Sequence, residues 1–340
     1  MPSLRALRAI ESLQARIQRD EGGRGIAALT RPNQLLTAAQ LLVQPPPIDG
    51  KCGVVLLTGF PCLRERTPPV ESDGPPGAVA LAFTMLALGR QPVTIAIEDH
   101  SAHVLRACAD AAAVPAAVVG AFPTSDRWTP ADDARLDDLH AGACGIVSIE
   151  RAGDSADGTC YTMRGYEMGP SLIGRLNTMA QPGRGVPTVG IGDGGNELGM
   201  GSLIADIARA IPLGDKIGCV VPADAPLVAS VSNWGGYALS CAVAVLAWDE
   251  APPAGGAGGA GALPRDVTPD GVMRRLVPDR DMARKALVAC TEAGALDGIT
   301  AAGDGSCDGM LLDVHLDVLD ELREIALEAM RPPQASTPDS

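Results

Sequence analysis

Aromatic side chains make up only 3% of this 340-residue sequence, and histidine occurs four times. So few large rings argue against a β-sandwich core; the 46% hydrophobic content is mostly Ala, Val, Leu and Ile, which suits helices layered on a parallel sheet. No apolar run reaches the roughly 18 residues that span a bilayer, and no signal peptide with an apolar core is present, so the expectation is a soluble intracellular protein. The nine cysteines are odd in number and never spaced as C-x-x-C, which indicates neither a disulfide framework nor a zinc knuckle. His100 and His103 have no H-E-x-x-H set around them and read as ordinary helix-start residues. Basic residues are outnumbered 27 to 41, for a net charge of −14, with no local basic patch; such a surface repels phosphate backbones and anionic membranes, and neither nucleic acid nor membrane is an expected partner. The phosphate-cradling G-x-x-x-x-G-K-[ST] is also missing, and no nucleotide cofactor is expected.

What the chain has instead is the stretch Val186-Pro187-Thr188-Val189-Gly190-Ile191-Gly192-Asp193-Gly194-Gly195-Asn196-Glu197-Leu198-Gly199-Met200-Gly201. Residues 186–191 are short, β-branched and apolar like a buried parallel strand, and residues 198–211 have helical apolar spacing that ends at Pro212. The loop between them therefore sits at the carboxyl end of a strand, where open α/β sheets bind ligands and where glycines let backbone N–H groups come close. Gly190, Gly192 and Gly195 match G-x-G-x-x-G, but Asp193 lies inside the match and Glu197 follows four residues on. Two carboxylates suggest a hard divalent cation or proton transfer, with Asn196 holding a carboxylate or binding substrate. The plainer alternative has Asn196 or Asp193 capping the next helix, which leaves Glu197 unaccounted for.

Elsewhere the pattern alternates strand with helix. A strand at 53–59 follows an opening helix, a second helix at 34–43 and the Pro45-Pro46-Pro47 break; a helix at 78–88, a strand at 92–97, a helix at 102–112 and a strand at 114–119 come next. A strand at 145–149 and a helix through 173–180 lead to the Asp193 unit, a strand at 216–221 follows, and Ser232-Asn233-Trp234-Gly235-Gly236-Tyr237 opens an Ala-rich helix. Helices are expected at 270–276 and 279–293, broken at Pro278, and at 310–330. The expected fold is α/β, a mostly parallel sheet with helices on both faces in three layers, as one domain over 1–330 with a mobile Gly/Ala insertion at about 251–265 and a disordered tail at 331–340. The first nineteen residues, with four arginines and one acid, read as a folded amphipathic helix rather than a presequence.

Right-handed crossovers would line Glu71/Asp73, Glu98/Asp99, Glu150/Arg151 and Asp193/Glu197 along one sheet edge. Convergence of half of them makes a pocket that needs a cation, an ammonium group or raised carboxylate pKa values. Arg151 either holds a substrate carboxylate bidentately or forms a salt bridge with a neighbouring acid.

The segments Gly22-Gly23-Arg24-Gly25-Ile26, Thr58-Gly59-Phe60, Glu71-Ser72-Asp73-Gly74-Pro75-Pro76-Gly77-Ala78, Ser148-Ile149-Glu150-Arg151-Ala152-Gly153, Gly192-Asp193-Gly194-Gly195-Asn196-Glu197-Leu198-Gly199-Met200-Gly201, Ser232-Asn233-Trp234-Gly235-Gly236-Tyr237 and Leu296-Asp297-Gly298-Ile299-Thr300 together resemble the carboxyl-terminal domain of the D-glutamate cyclase family. The likeness runs from about residue 10 to 330, with Ser72 where Thr is expected and the Gly/Ala insertion peculiar to this chain; larger members carry a further amino-terminal domain. It implies reversible conversion of D-glutamate to 5-oxo-D-proline plus water, a small-molecule partner, and a cytoplasmic or mitochondrial-matrix location, and it is compatible with a homo-oligomer. The roles expected on that basis are a manganese or magnesium ion on Asp193, Glu197 and Asp73, Arg151 on the α-carboxylate, Glu150 or Asp99 as base, and Gly194, Gly195 and Asn196 at the substrate. Two rivals stand beside it. Gly192-Asp193-Gly194-Gly195-Asn196-Glu197 also resembles the magnesium loop of haloacid-dehalogenase-type phosphatases, although Thr58-Gly59-Phe60 stands where their nucleophilic Asp-x-Asp belongs; the other rival is a non-catalytic metal or amino-acid sensor.

Overall fold

The computed structural model describes residues 1–43, 52–250 and 267–331. The proline break near 46, the Gly/Ala insertion and all but Arg331 of the expected tail lie outside them. Along the chain come α1 (Leu4–Ile17), α2 (Gln34–Val43), β1 (Gly53–Gly59), α3 (Pro75–Ala87), β2 (Val93–Glu98), α4 (Ala102–Ala111), β3 (Val119–Phe122), α5 (Pro130–Ala141) and β4 (Ala143–Arg151). They are followed by β5 (Cys160–Tyr161), β6 (Glu167–Met168), β7 (Thr188–Gly192), α6 (Ile204–Ala210), α7 (Gly214–Ile217) and β8 (Ala225–Val228). The last elements are α8 (Ser232–Asp249), α9 (Pro269–Leu276), α10 (Arg280–Glu292) and α11 (Leu312–Met330).

Six strands form one sheet in the order β3-β2-β1-β4-β7-β8, and every neighbouring pair is parallel. β5 and β6 pair antiparallel as a separate hairpin. The strands are apolar on both sides because both faces are covered: Leu56, Ile95, Val147 and Ile191 pack with α1, α3, α8 and α11, while Val55, Leu57, Ala96 and Ile146 pack with residues from α5, α6 and the 3-10 turn Arg175–Ala180. Each such fully buried Val, Leu or Ile side chain contributes about 1.5–3 kcal/mol. The expected three-layer α/β arrangement is therefore the one observed.

Several boundaries differ from expectation for local reasons. Residues 116–118 are a 3-10 turn and the strand begins only at Val119. The helix after Glu197 starts at Ile204, because Gly199 and Met200 first bridge to Pro222. Residues 214–217 are helical, and the expected strand there is replaced by β8, whose Pro226 is tolerated because β8 is an edge strand. Helix α5 was not anticipated; its sequence, PADDARLDDLHA, buries only Leu136 and His140 and has almost no apolar stripe.

The chain leaves β1 for β2 on one side and returns to β4 on the other, so the order reverses between β1 and β4. Ligands in open α/β sheets bind outside the carboxyl ends of the strands at such a switch point.

Candidate active site

The chain leaving β1 carries Glu71 and Asp73 into the start of α3, and Asp73 reaches across to α8. Its Oδ2 accepts from Ser232 N–H at 2.8 Å and its Oδ1 accepts from Asn233 N–H at 2.8 Å and Gly74 N–H at 3.0 Å. These are two of the amides that an α-helix leaves without intrahelical partners, and the backbone position before α8, Val231, offers no side-chain cap. The exchange is mutual: Asn233 Oδ1 accepts from Gly74 N–H at 3.1 Å and Gly77 N–H at 2.7 Å at the start of α3. Gly77 and Gly236 make this crossing possible, since a Cβ on either would lie within 2.9 Å of the other helix's backbone.

Glu150 reaches the same place through a bulge. Thr58 pairs with Ile149 but Gly59 pairs with Arg151, leaving Glu150 as an extra residue at φ +43. The bulge breaks the two-residue alternation. Ile149 packs with α3 and α8, whereas Arg151 turns to the other face, where Nη1 donates to Glu98 Oε2 at 2.6 Å, Nε to Asn177 Oδ1 at 2.9 Å and Nη2 to Gly174 O at 3.4 Å. Glu150 itself accepts from Ser232 Oγ–H at 2.7 Å.

Asp193 follows β7 directly. Its Oδ1 accepts from Arg24 Nη1, and the same guanidinium donates through Nη2 to Asp308 Oδ1 at 2.6 Å. Arg24 comes from the segment between α1 and α2, and Asp308 from the turn before α11, where its φ is +52. Asp297 holds that turn by accepting from Gly309 N–H at 2.8 Å, and His315 holds it through Nε2 against Cys307 O at 3.1 Å, while His315 Nδ1 accepts from Trp234 Nε1–H at 2.9 Å.

Glu71, Glu150, Asp193, Asn196, Glu197 and Arg24 line a cavity of about 540 Å³. Asp73, Glu150 and Asp193 bring carboxylate oxygens within 4.8 Å of one another, and Asp73, Cys307 and Asp308 make a second such group. The buried acceptors Asp193 Oδ2, Asp308 Oδ2 and Asn196 Oδ1 have no hydrogen-bond partner among the described residues. Unpaired buried oxygens of this kind are costly, and their grouping marks a place for a ligand's donors or a cation.

One arginine among so many buried acids leaves a surplus of negative charge, which together with burial pushes the carboxyl pKa values up. Burial, then Asp308 and Asp73, raises Glu71 well above the usual carboxylate range; burial and Asp308 raise Asp73 to about 7 despite its amide bonds. Burial, followed by Glu197 and Asp73, does the same to Glu150, and burial raises Asp193 even against the pull of Arg24. Burial also raises Glu197, opposed by amide bonds. Burial alone would lower Arg24, but Asp193 and Asp308 keep it firmly charged. Cys62, bonded to Glu71, is held as a thiol by burial and by that acid, the reverse of what an attacking cysteine needs.

Asp73, Glu150, Asp193, Asn196 and Glu197 converge. Glu197 accepts from Gly194 N–H at 2.6 Å and Gly195 N–H at 2.7 Å inside its own loop, which engages both amides and orients the carboxylate at the cavity wall. Arg151 is the salt-bridged alternative, with Glu98. Asp99 lies on the surface, where two hydrogen bonds from Arg127, at 2.7 and 2.8 Å, lower its pKa. Arg24 and Asp308, not singled out as site residues, are central; Arg24 stood in one of the quoted glycine-rich segments and Asp308 closed the second acidic one.

A family model described as D-glutamate cyclase-like, C-terminal, matches residues 13–323. The human protein named D-glutamate cyclase, mitochondrial, is 36% identical over 264 residues, covering 72% of this chain; the match spans 40% of that relative's length. No helix among the described residues is long and apolar enough to cross a membrane. With the acids brought together at the switch point and the family model spanning nearly all of the chain, the protein belongs to the D-glutamate cyclase-like, C-terminal family.

Proposed function

We propose that this chain is a carbon–oxygen lyase that interconverts D-glutamate and 5-oxo-D-proline plus water. The observation that carries the reading is the group of buried carboxyls with raised pKa values and unpaired oxygens on the cavity floor. Ring closure forms a C–N bond between the α-nitrogen and the γ-carbon and breaks one γ-C–O bond. The ammonium gives up two protons and the departing oxygen takes up two to leave as water, so the protein is unchanged overall but must accept and return protons at both ends. Carboxyls whose pKa values burial has raised serve both ends better than an ordinary carboxylate, which is too weak a base and too rarely protonated.

Asp193 Oδ2, without a hydrogen-bond partner among the described residues, accepts the ammonium proton; Glu150, whose pKa burial raises and whose carboxyl Ser232 orients, supplies a proton to the departing oxygen. Arg24 fixes Asp193 and Asp308 and keeps the floor from collecting still more protons. Asn196 Oδ1 is a further acceptor for substrate N–H, its Nδ2 being anchored on Tyr161 O at 2.7 Å. The donor set also suits a hard cation: Asp73, Glu150 and Asp193 would hold manganese or magnesium, which when bound polarises the γ-carboxyl. The test is incubation of the purified chain with each substrate, with and without metal after chelation, followed by chiral chromatography.

A further inference from the structure

The cavity has two electrical ends. Its floor is acidic, yet its lining also includes Arg64, Arg66 and Arg164, all exposed, in a chain of net charge −14. Two turns carry them: residues 63–66, closed by Arg66 N–H donating to Leu63 O at 2.8 Å, and the tip between β5 and β6, closed by Gly165 N–H donating to Thr162 O at 2.8 Å. Arg64 clips the turns together, with its guanidinium 5.0 Å from the Tyr166 ring centroid and Nη1 donating to Glu167 O at 3.3 Å. The guanidinium groups of Arg66 and Arg164 make no hydrogen bond or ion pair with any described residue.

We propose that Arg66 and Arg164 form the carboxylate-binding end of the substrate site. This rests on the proposed lyase reading, in which both substrates carry an α-carboxylate. The γ-carboxyl goes to the proton-supplying Glu150, but the α-carboxylate, which the reaction leaves intact, meets only like charge on the floor, where Arg24 already directs both terminal nitrogens to Asp193 and Asp308. At the mouth it meets two guanidinium groups unpaired among the described residues, and guanidinium forks suit a carboxylate geometrically. Docked this way, the acid end lies at the rim while the nitrogen and γ-carbon lie over Asp193 and Glu150. Selectivity for a free acid follows: 2-pyrrolidinone, the same lactam without its carboxylate, has nothing to offer the arginines.

The test uses the full chain and R66Q, R164Q and the double variant. Kinetics are measured with D-glutamate and 5-oxo-D-proline, and binding of 5-oxo-D-proline and 2-pyrrolidinone by calorimetry. Each single substitution should raise KM and Kd for the acids about 10-fold and the double variant about 100-fold, with kcat changed less than about threefold, as expected for interactions present equally in ground and transition states. Affinity for 2-pyrrolidinone should not move. Acid affinities within twofold of wild type in the double variant overturn the assignment, as does an equal loss for 2-pyrrolidinone, which would mean a distorted cavity. Arginine-dependent binding without interconversion in the wild type would sink the lyase reading and keep the arginine assignment; interconversion indifferent to both arginines would do the opposite; no binding of either acid sinks both.

Discussion

Replacing Asp73 by Asn sets two opposing terms against each other, and pH decides which wins. Asp73 is buried with a pKa raised to about 7 by burial and by Asp308, against 3.8 ordinarily. Below about pH 4 it is protonated whether the chain is folded or not. As pH rises, the unfolded chain loses the proton first, so stability drains away between about pH 4 and pH 7, reaching about 4 kcal/mol once the folded group is also ionised. D73N carries no such drain. It does lose a hydrogen bond, because an amide placed with its oxygen toward Asn233 and Gly74 turns its NH2 against Ser232 N–H, at a cost of about 1–3 kcal/mol. Urea unfolding in chelator should therefore show near-parity with the parent at pH 5 and a variant more stable by about 2–3 kcal/mol at pH 8.5, a swing of the same size. A stability difference that stays constant between those pH values would refute the reasoning, since a lost hydrogen bond alone has no such pH dependence. The variant's stability gain should come with lost turnover, as expected where function keeps like charges together.

Asp193→Asn should reduce turnover by at least about 100-fold with an unchanged circular dichroism spectrum, because the shape remains and the proton acceptor does not. Arg24→Met removes the one cation bridging Asp193 and Asp308 and should cost about 3–5 kcal/mol in chemical denaturation, with the loss greater at pH 8 than at pH 5, where more of the floor is protonated. Asp99→Ala, on the exposed pair with Arg127, should leave stability within about 1 kcal/mol and turnover within about twofold of the parent. Gly298→Ala should be strongly destabilising and reduce turnover, because a Cβ there overlaps Glu71 Oε2; wild-type melting and activity would show that Glu71 is free to move.

The sheet was readable from the sequence because its strands are short β-branched runs covered on both faces, and β1, β2, β4 and β7 were recognised within one or two residues. β8 was not, since Pro226 argues against a strand unless the strand is known to lie at an edge. Acids following strands pointed to Asp73, Glu150 and Asp193, whose carboxylates the fold brings within 4.8 Å of one another. Arg151 misled because sequence adjacency to Glu150 says nothing about a bulge, and one extra residue sends the guanidinium through to the opposite face. Arg24 could not be placed from spacing at all: it is 169 residues from Asp193 and 284 from Asp308, and only the closed fold brings the three together. Reciprocal capping of α3 by Asn233 and of α8 by Asp73 was hidden for the same reason, although both residues stood in glycine-rich segments whose glycines the helix crossing requires.

The most direct test of the account is to incubate the purified chain with D-glutamate and separately with 5-oxo-D-proline, in chelator and again with added manganese or magnesium, and to follow both compounds by chiral chromatography. The account predicts interconversion in both directions in the parent and none in D193N. Absence of interconversion under every condition, or the same rate in D193N as in the parent, would contradict it.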